Sequence, residues 1–441
     1  MYFSKHNIFS TIKDSENFFI VNLLTGNADI LSPEDAKKLH QIKEFNIHND
    51  ESFIIELLEK GYLADELEES KLFRSKYLDF MDNRADDEIQ LFLVPNYSCN
   101  FACSYCYQDE YAPSKGAMSD EIIDAFFEYI RNEFAGKRKY ITVFGGEPLL
   151  NSPKQKELIS YLIAQANQAK IDVCFVTNGY TLVEYIDILK QGRVREIQIT
   201  LDGTAAVHNA RRFLKDGGGT FHKIIAGVDA CIANHLPVNL RMVIDQENIG
   251  NLTDLAQFAI DKKWTSNALF KTQIGRNYEL HHCQSIQDKL FSRISLYEKL
   301  YALTKEHPHI LEFYKPAYSV SKFLSEHGNL PDPLFDSCPA CKTEWAFDYT
   351  GHIYPCTATV GKAEESLGTF YPEVTQAKNL INAWETRDVV SIPECKDCSV
   401  QLACGGGCGS VAKNKNGTVC STDCRPVKEL LELGFGAYFN E

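Results

Sequence analysis

From Ile89 onward, apolar and polar positions fall into a repeating pattern of short runs and longer periodic stretches. The short runs are Ile89–Val94, Tyr140–Phe144, Asp172–Thr177, Glu196–Leu201, Val238–Ile244 and Ala268–Ile274. Between them, residues 119–134, 153–169, 182–191, 222–234 and 250–262 carry apolar residues at helical spacing. Strands alternating with helices predict a parallel sheet. Six strands and five helices are most simply a six-stranded partial barrel, with any chemistry at the C-terminal strand ends. The chain before residue 86 has a different texture. Asn17–Leu24, then Thr25-Gly26-Asn27, then Ala28–Leu31 predicts a β-hairpin. Ser32-Pro33-Glu34-Asp35 predicts a helix start, and Ser52–Glu59 a second helix ended by Gly61. A third, charged helix is expected from Glu66 to about Met81. A hairpin with three short helices is a small winged-helix domain over residues 1–85. Residues 277–337 read as a helical bridge, with Ile286–Thr304 apolar at helical spacing, and residues 338–441 as a loop-rich domain closed by a helix over Pro426–Phe439.

Composition narrows the function classes. The chain has 441 residues, 44% hydrophobic and 24% charged, as in an ordinary soluble protein of two or three domains. Its net charge of −15 argues against nucleic acid or an anionic membrane as partner. No long uncharged apolar run is present, and Met-Tyr-Phe-Ser-Lys-His-Asn lacks a signal-peptide core, so a cytoplasmic protein is expected. In that compartment, 15 cysteines point to metal or catalysis rather than disulfides. Cys174, Cys231 and Cys283 stand alone and read as buried small hydrophobes; the rest are clustered.

The first cluster, Cys99, Cys103 and Cys106, has C-x3-C-x2-C spacing directly after the first barrel strand. Three thiolates can hold three irons of a [4Fe–4S] cube and leave the fourth open for chemistry. A zinc knuckle would instead pair C-x2-C with a second ligand pair. Gly145-Gly146-Glu147-Pro148 ends the second strand, where it offers close backbone approach and a carboxylate acceptor. Thr177-Asn178-Gly179 and Thr200-Leu201-Asp202-Gly203 end the third and fourth strands, and Arg241 lies in the fifth.

With Tyr105 beside the third cysteine, the chain resembles the radical S-adenosylmethionine (SAM) superfamily. There SAM chelates the open iron and is cleaved to methionine and a 5′-deoxyadenosyl radical. The resemblance implies that Cys99, Cys103 and Cys106 hold the SAM-cleaving cluster, Tyr105 sits by the adenine, and Gly145, Gly146 and Glu147 bind the SAM amino group. Thr200 and Asp202 correspond to a segment facing the ribose. His208…Arg212 resembles a His-Asp-x-x-Arg stretch in which Asn209 replaces the Asp. Arg212 or Arg241 is expected at the SAM carboxylate; a surface ion pair is the structural alternative for Asp202 and Arg212.

The C-terminal cysteines run Cys341-x9-Gly351-x4-Cys356, then Cys395-x2-Cys398-x5-Cys404-x3-Cys408, then Cys420 or Cys424. This order is similar to the SPASM extension, with two auxiliary [4Fe–4S] clusters and so three in all. The resemblance assigns Cys338, Cys341, Cys356 and Cys408 to one and Cys395, Cys398, Cys404 and Cys424 to the other, with Cys420 close by. It implies electron acceptance, with Gly405-Gly406-Gly407 wrapping closely around sulfide. It also makes the N-terminal domain a leader-peptide recognition element that adds a strand at Phe18–Leu23 or Ala28–Leu31, and implies a small reducing protein, flavodoxin or ferredoxin, as partner. The sulfatase-maturing branch has an Asp directly after the Cys of Gly-x4-Cys; here that position is Thr357. The expected activity is therefore crosslinking of a ribosomally made precursor peptide, a Cys thioether first and a C–C or C–O bond otherwise. The alternatives are a sulfatase-maturase-like enzyme acting on a protein, and a non-enzymatic iron–sulfur redox regulator.

Overall fold

The computed structural model describes residues 1–45, 50–106, 116–276 and 289–439. Cys283 and the start of the expected bridge lie outside the described residues. The chain opens with β1 (Tyr2–Phe3) and an antiparallel sheet of β2 (Asn7–Thr11), β3 (Phe18–Asn22) and β4 (Asn27–Leu31). Helices α1 (Pro33–Phe45) and α2 (Glu51–Glu59) follow, then β5 (Leu63–Ala64), which returns to pair with β1, and α3 (Glu66–Asp86). The helix starts are capped by side chains. Asp50 accepts the Phe53 N–H at 3.2 Å, and Asp65 accepts the Leu67 N–H at 3.0 Å.

The barrel runs β6 (Ile89–Val94), α4 (Asp120–Glu133), β7 (Lys139–Val143), α5 (Pro153–Ala169), β8 (Asp172–Thr177), α6 (Ile186–Leu189), β9 (Val194–Thr200), α7 (Ala205–Arg211), α8 (Phe221–Ala233), β10 (Val238–Ile244), α9 (Leu252–Asp261) and β11 (Phe270–Arg276). Its six strands are parallel, in the order β11-β10-β9-β8-β7-β6. Alternation divides them between two environments. Leu91, Leu93, Ile141, Val143, Ile197 and Ile199 are buried in the main core beneath the helices. Gln90, Phe92, Tyr140, Thr142, Gln198 and Thr200 line an internal cavity. The lumen of the partial barrel thus takes polar side chains among apolar ones, which is why these strands read as alternating rather than continuously apolar.

Helix α10 (Arg293–Glu306) lies in the expected bridge. Beyond it the chain is loop-rich, with short strands that join the barrel sheet. Strand β12 (Glu344–Asp348) pairs parallel with β6, and β13 (His352–Tyr354), β14 (Gly368–Thr369) and β15 (Thr375–Gln376) continue the sheet to ten strands. Cys341 and Cys356, which flank β12 and β13, are therefore set by the same sheet as the barrel. The closing helix Val427–Tyr438 packs against β2, and Phe19 stacks on Phe435 at 4.7 Å between centroids.

One expectation is overturned. Phe18–Leu23 cannot accept an added strand, because β3 is the central strand, paired with β2 on one side and β4 on the other. The β2 side meets the closing helix, where the Lys13 N–H donates to the Glu432 carbonyl at 3.1 Å. Of the two stretches considered, only β4 lies at an edge, with Ile30 43% exposed.

Candidate functional site

The cysteine loop leaves β6 and is pinned from two sides. Ala102 N–H donates to the Phe213 carbonyl at 2.8 Å and Ser104 N–H to the Arg211 carbonyl at 3.0 Å, so the stretch after α7 forms one wall. The Gly145-Gly146 turn forms the other. A Cβ at Gly146 would stand 2.2 Å from the Ser98 carbonyl oxygen, and one at Gly145 2.6 Å from that of Asn96. Two glycines are needed because the turn touches the backbone leading into Cys99. Cys99, Cys103, Cys106, Tyr105, Gly145, Gly146, Thr200, Arg212 and Arg241 all line one cavity of about 630 Å³.

Glu147 is fully buried. Its Oε1 accepts from Thr177 Oγ1 at 2.7 Å and Leu149 N–H at 2.8 Å, and its Oε2 from Asn178 N–H at 2.6 Å. The carboxylate thus staples the second strand end to the third. Burial raises its pKa, opposed by these hydrogen bonds. Asn178 carries the link onward, donating to Asn100 Oδ1 at 2.8 Å and lying 3.8 Å from Cys99 Sγ. Burial pushes the Cys99 thiol up to about 12, and the nearby Glu147 adds to the shift. Metal binding would draw off that proton.

Asp202 and Arg212 do not form a surface pair. Both are buried, and the Tyr105 hydroxyl stands between them. Asp202 Oδ2 accepts from Tyr105 Oη at 2.6 Å and Arg211 Nε at 3.3 Å, while Oδ1 accepts from Val243 N–H at 3.0 Å. Arg211 also reaches Asp245 at 2.9 Å. Arg212 Nη1 donates to Tyr105 Oη at 2.8 Å. Tyr105 is therefore held by an acid and a cation at once. Desolvation raises its pKa, with Arg212 opposing. Asn209 Oδ1 accepts from Thr220 and Phe221 N–H at 2.8 and 3.0 Å. An Asn thus caps α8 as the expected Asp would. Asn178 belongs to the strand-end stretch that the sequence marks, whereas Arg211 and Asp245 carry no motif signal.

The remaining cysteines fall into two neighbourhoods. Burial raises the Cys356 thiol, and the nearness of Glu344, Cys338 and Cys408 adds to the shift; Cys341 is likewise raised by burial and then by Glu385 and Cys338. Cys395 is raised to about 12 by burial and by Cys404, Cys398 and Cys424. Cys420 is exposed and stands apart, its Sγ 3.5 Å from the Ser391 carbonyl oxygen. Thr357 and Ala358, directly after Cys356, line the same cavity as the Cys99 loop. Behind Thr357 lies an unanticipated carboxylate. Glu344 Oε1 accepts the Thr357 N–H at 2.9 Å and its hydroxyl at 3.3 Å. Its pKa is raised by burial, with both Thr357 bonds opposing.

The donor set suits the expected cofactors. Three thiols converge where glycines admit close approach, and the side-chain Nε atoms of Arg212 and Arg241 are buried with no hydrogen-bond partner. Such atoms await an anion. Among the described residues no three His, Cys, Asp or Glu side chains gather around a point that would hold a single metal ion; a cube spreads its ligands over several irons.

Residues 93–259 match the radical SAM superfamily model. A serine-type anaerobic sulfatase-maturating enzyme of Bacteroides thetaiotaomicron is 24% identical over 375 residues, covering 77% of this chain and 86% of that protein. The structure of native anSMEcpe with AdoMet and a peptide aligns with TM-score 0.62 at 19% identity, over 80% of this chain and 99% of that one. Streptococcus suis SuiB bound to its precursor peptide SuiA aligns with TM-score 0.55 at 15% identity, over 97% and 99%. The chain carries a radical SAM domain, and the cofactors of that domain are a [4Fe–4S] cluster and SAM. Among the described residues no helix is long and apolar enough to cross a membrane.

Proposed function

We propose that this radical SAM enzyme oxidises a side chain of a polypeptide substrate, in the manner of a protein maturase. The observation that carries the reading is the shared cavity. The Cys99 loop, the Gly145-Gly146 turn and Thr357 beside the first auxiliary cysteine group border one space. Cluster and SAM together supply a one-electron hydrogen abstraction. Cys99, Cys103 and Cys106 would hold the cluster, and the Gly145-Gly146 backbone and Arg212 would orient SAM. After hydrogen abstraction, the substrate must lose one more electron and a proton. Glu344, reached through the Thr357 hydroxyl, is placed to take the proton. The electron would pass to clusters held by Cys338, Cys341, Cys356 and Cys408, and by Cys395, Cys398, Cys404 and Cys424. The absence of an Asp at position 357 thus does not remove a carboxylate from that wall. Similarity to the Bacteroides sulfatase-maturating enzyme over 375 residues supports this reading.

A second reading, crosslinking within a precursor peptide by a thioether, C–C or C–O bond, is favoured by the open β4 edge, which suits an extended leader segment. A flavodoxin or ferredoxin would supply the priming electron in either case. Anaerobic reconstitution with SAM, dithionite and a synthetic sulfatase-type peptide tests the first reading. The expected result is 5′-deoxyadenosine together with a linear peptide lighter by two hydrogens. The same mass loss with fragmentation blocked between two residues would transfer the assignment to the crosslink. Absence of 5′-deoxyadenosine would end both.

A further inference from the structure

The cavity is cationic in a chain of net charge −15. Its walls carry Arg195, Arg212, Arg241, Lys271 and Arg276 against the single carboxylate of Glu196. A cleft lined by one sign of charge concentrates ligands of the other. Four of these cations are engaged by the protein. Arg195 donates to Glu88 at 2.6 Å, Lys271 pairs with Glu196, Arg212 donates to Tyr105 at 2.8 Å, and Arg276 donates to the Phe291 carbonyl at 2.5 Å.

Arg241 differs. Like that of Arg212, its Nε is buried without a partner, but among the described residues its side chain makes no hydrogen bond or ion pair at all. It rises from the middle of β10, in register with Thr200 on one side and Gln273 on the other. Its guanidinium lies over Gly275 of β11, where a Cβ would fall 2.7 Å from both Nε and Nη2. A side chain at 275 would push the guanidinium aside, so Gly275 leaves the room in which it lies. A buried donor left unpaired is costly unless a ligand completes it. The planar fork of a guanidinium matches a carboxylate with two parallel hydrogen bonds.

We propose that Arg241, seated on Gly275, receives a carboxylate of the substrate, so that the enzyme selects an acidic segment next to the residue it oxidises. This rests on the polypeptide-substrate reading, with Arg212, tied to Tyr105 in the cysteine loop, left to SAM. The carboxylate can come from an Asp or Glu side chain or from a chain terminus.

The test uses reconstituted holoenzyme, SAM and dithionite with a pooled synthetic peptide library. The positions around a fixed Ser or Cys are randomised, and half of the pool is C-terminally amidated. Products are sequenced by mass spectrometry. Wild type should enrich Asp and Glu near the modified residue by roughly tenfold, the worth of one charged hydrogen-bonded contact. Arg241→Gln should abolish the enrichment, and Arg241→Glu should replace it with enrichment of Lys and Arg. If the preference appears only in the free-acid half, the terminus is the source. Modified peptides without acidic preference would overturn the inference and leave the polypeptide reading intact. So would an Arg241→Gln enzyme that keeps the preference but shows a raised KM for SAM. If wild type makes 5′-deoxyadenosine and modifies no peptide, the polypeptide reading fails and takes the inference with it. Should Arg241→Gln fail to load cofactor, Gly275→Ala, which displaces the guanidinium without removing it, must show the same loss of preference.

Discussion

Asp202 illustrates how a motif residue can hold a site together without facing its ligand. Its carboxylate is fully buried and answers Tyr105, Arg211 and the Val243 N–H. Asp202→Asn leaves Arg211 with Asp245 and, at 3.7 Å, the half-exposed Glu247, and breaking a buried pair from one side costs about 3–5 kcal/mol. A lower melting temperature is therefore expected in the cofactor-free protein. A ribose ligand would instead weaken SAM binding and leave the melting temperature where it was. His208 gives a second expectation. It is buried, its Nδ1 accepts the Asp202 N–H at 3.1 Å, and burial lowers its pKa from 6.5 to about 3, with Arg212 and Arg211 adding. Its folded pKa lies below its unfolded one. As pH falls through 6.5, the unfolded chain takes up the proton first. Stability should then decline by up to about 1.4 kcal/mol per pH unit between pH 6.5 and 3. His6, lowered to about 4 by burial, acts in the same direction. The melting temperature of His208→Gln should vary less between pH 7.5 and 5 than that of wild type; an unchanged slope would refute the assignment.

Loops at strand ends carry the next set of expectations. Gly146→Ala places a methyl against the Ser98 carbonyl, so the Cys99 loop must move. Iron should be lost from the Cys99 site while the auxiliary sites keep theirs, as resolved by Mössbauer spectroscopy. Arg387 has the complementary role. It is fully buried, and it donates to the carbonyls of Val419 and Gly406 at 2.7 Å and of Ser421 at 3.1 Å. It thereby clamps Gly405-Gly406-Gly407, three consecutive left-handed residues between Cys404 of one group and Cys408 of the other. Charged hydrogen bonds of this kind contribute about 1.5–3 kcal/mol each. Arg387→Met should empty both auxiliary sites and spare the Cys99 site, the reverse of Gly146→Ala. The six barrel strands were legible because alternation over five to seven residues outlines each one. The cysteine loop and Gly-Gly turn were legible because their chemistry demands fixed spacing. Strands β12 to β15 were not, since they span two to five residues and the first finds its partner, β6, some 250 positions earlier. Helix α7, seven residues long, was missed for the same lack of length. Arg211, Asp245 and Glu344 act through tertiary contacts to which no local pattern points.

The N-terminal domain is part of the molecule's frame as well as a candidate docking surface. Ile8, Ile12, Phe19, Val21, Leu23 and Leu24 share one hydrophobic cluster with Phe335, Ile392, Leu402, Leu431 and Phe435, and with Cys395 and Cys404 themselves. From α3, Tyr77 donates to Asp388 at 2.6 Å and Arg84 to Asp336 at 3.1 Å. Deleting residues 1–85 would therefore strip the cover from the second auxiliary group as well as remove the β4 edge. Expected losses are the iron that Cys395, Cys398, Cys404 and Cys424 would hold and, with it, product, even from a substrate that needs no leader. Lost turnover in the truncated protein thus says nothing about leader binding. Hydrogen exchange on the intact chain separates the two roles. An extended segment added at β4 would bond the outward amides of Asn27–Leu31 and slow their exchange. The amides of β2 should not change, because the closing helix already covers that side. Protection confined to the barrel cavity would assign the N-terminal domain a purely structural role, and the enzyme would then select its substrate at the strand ends alone.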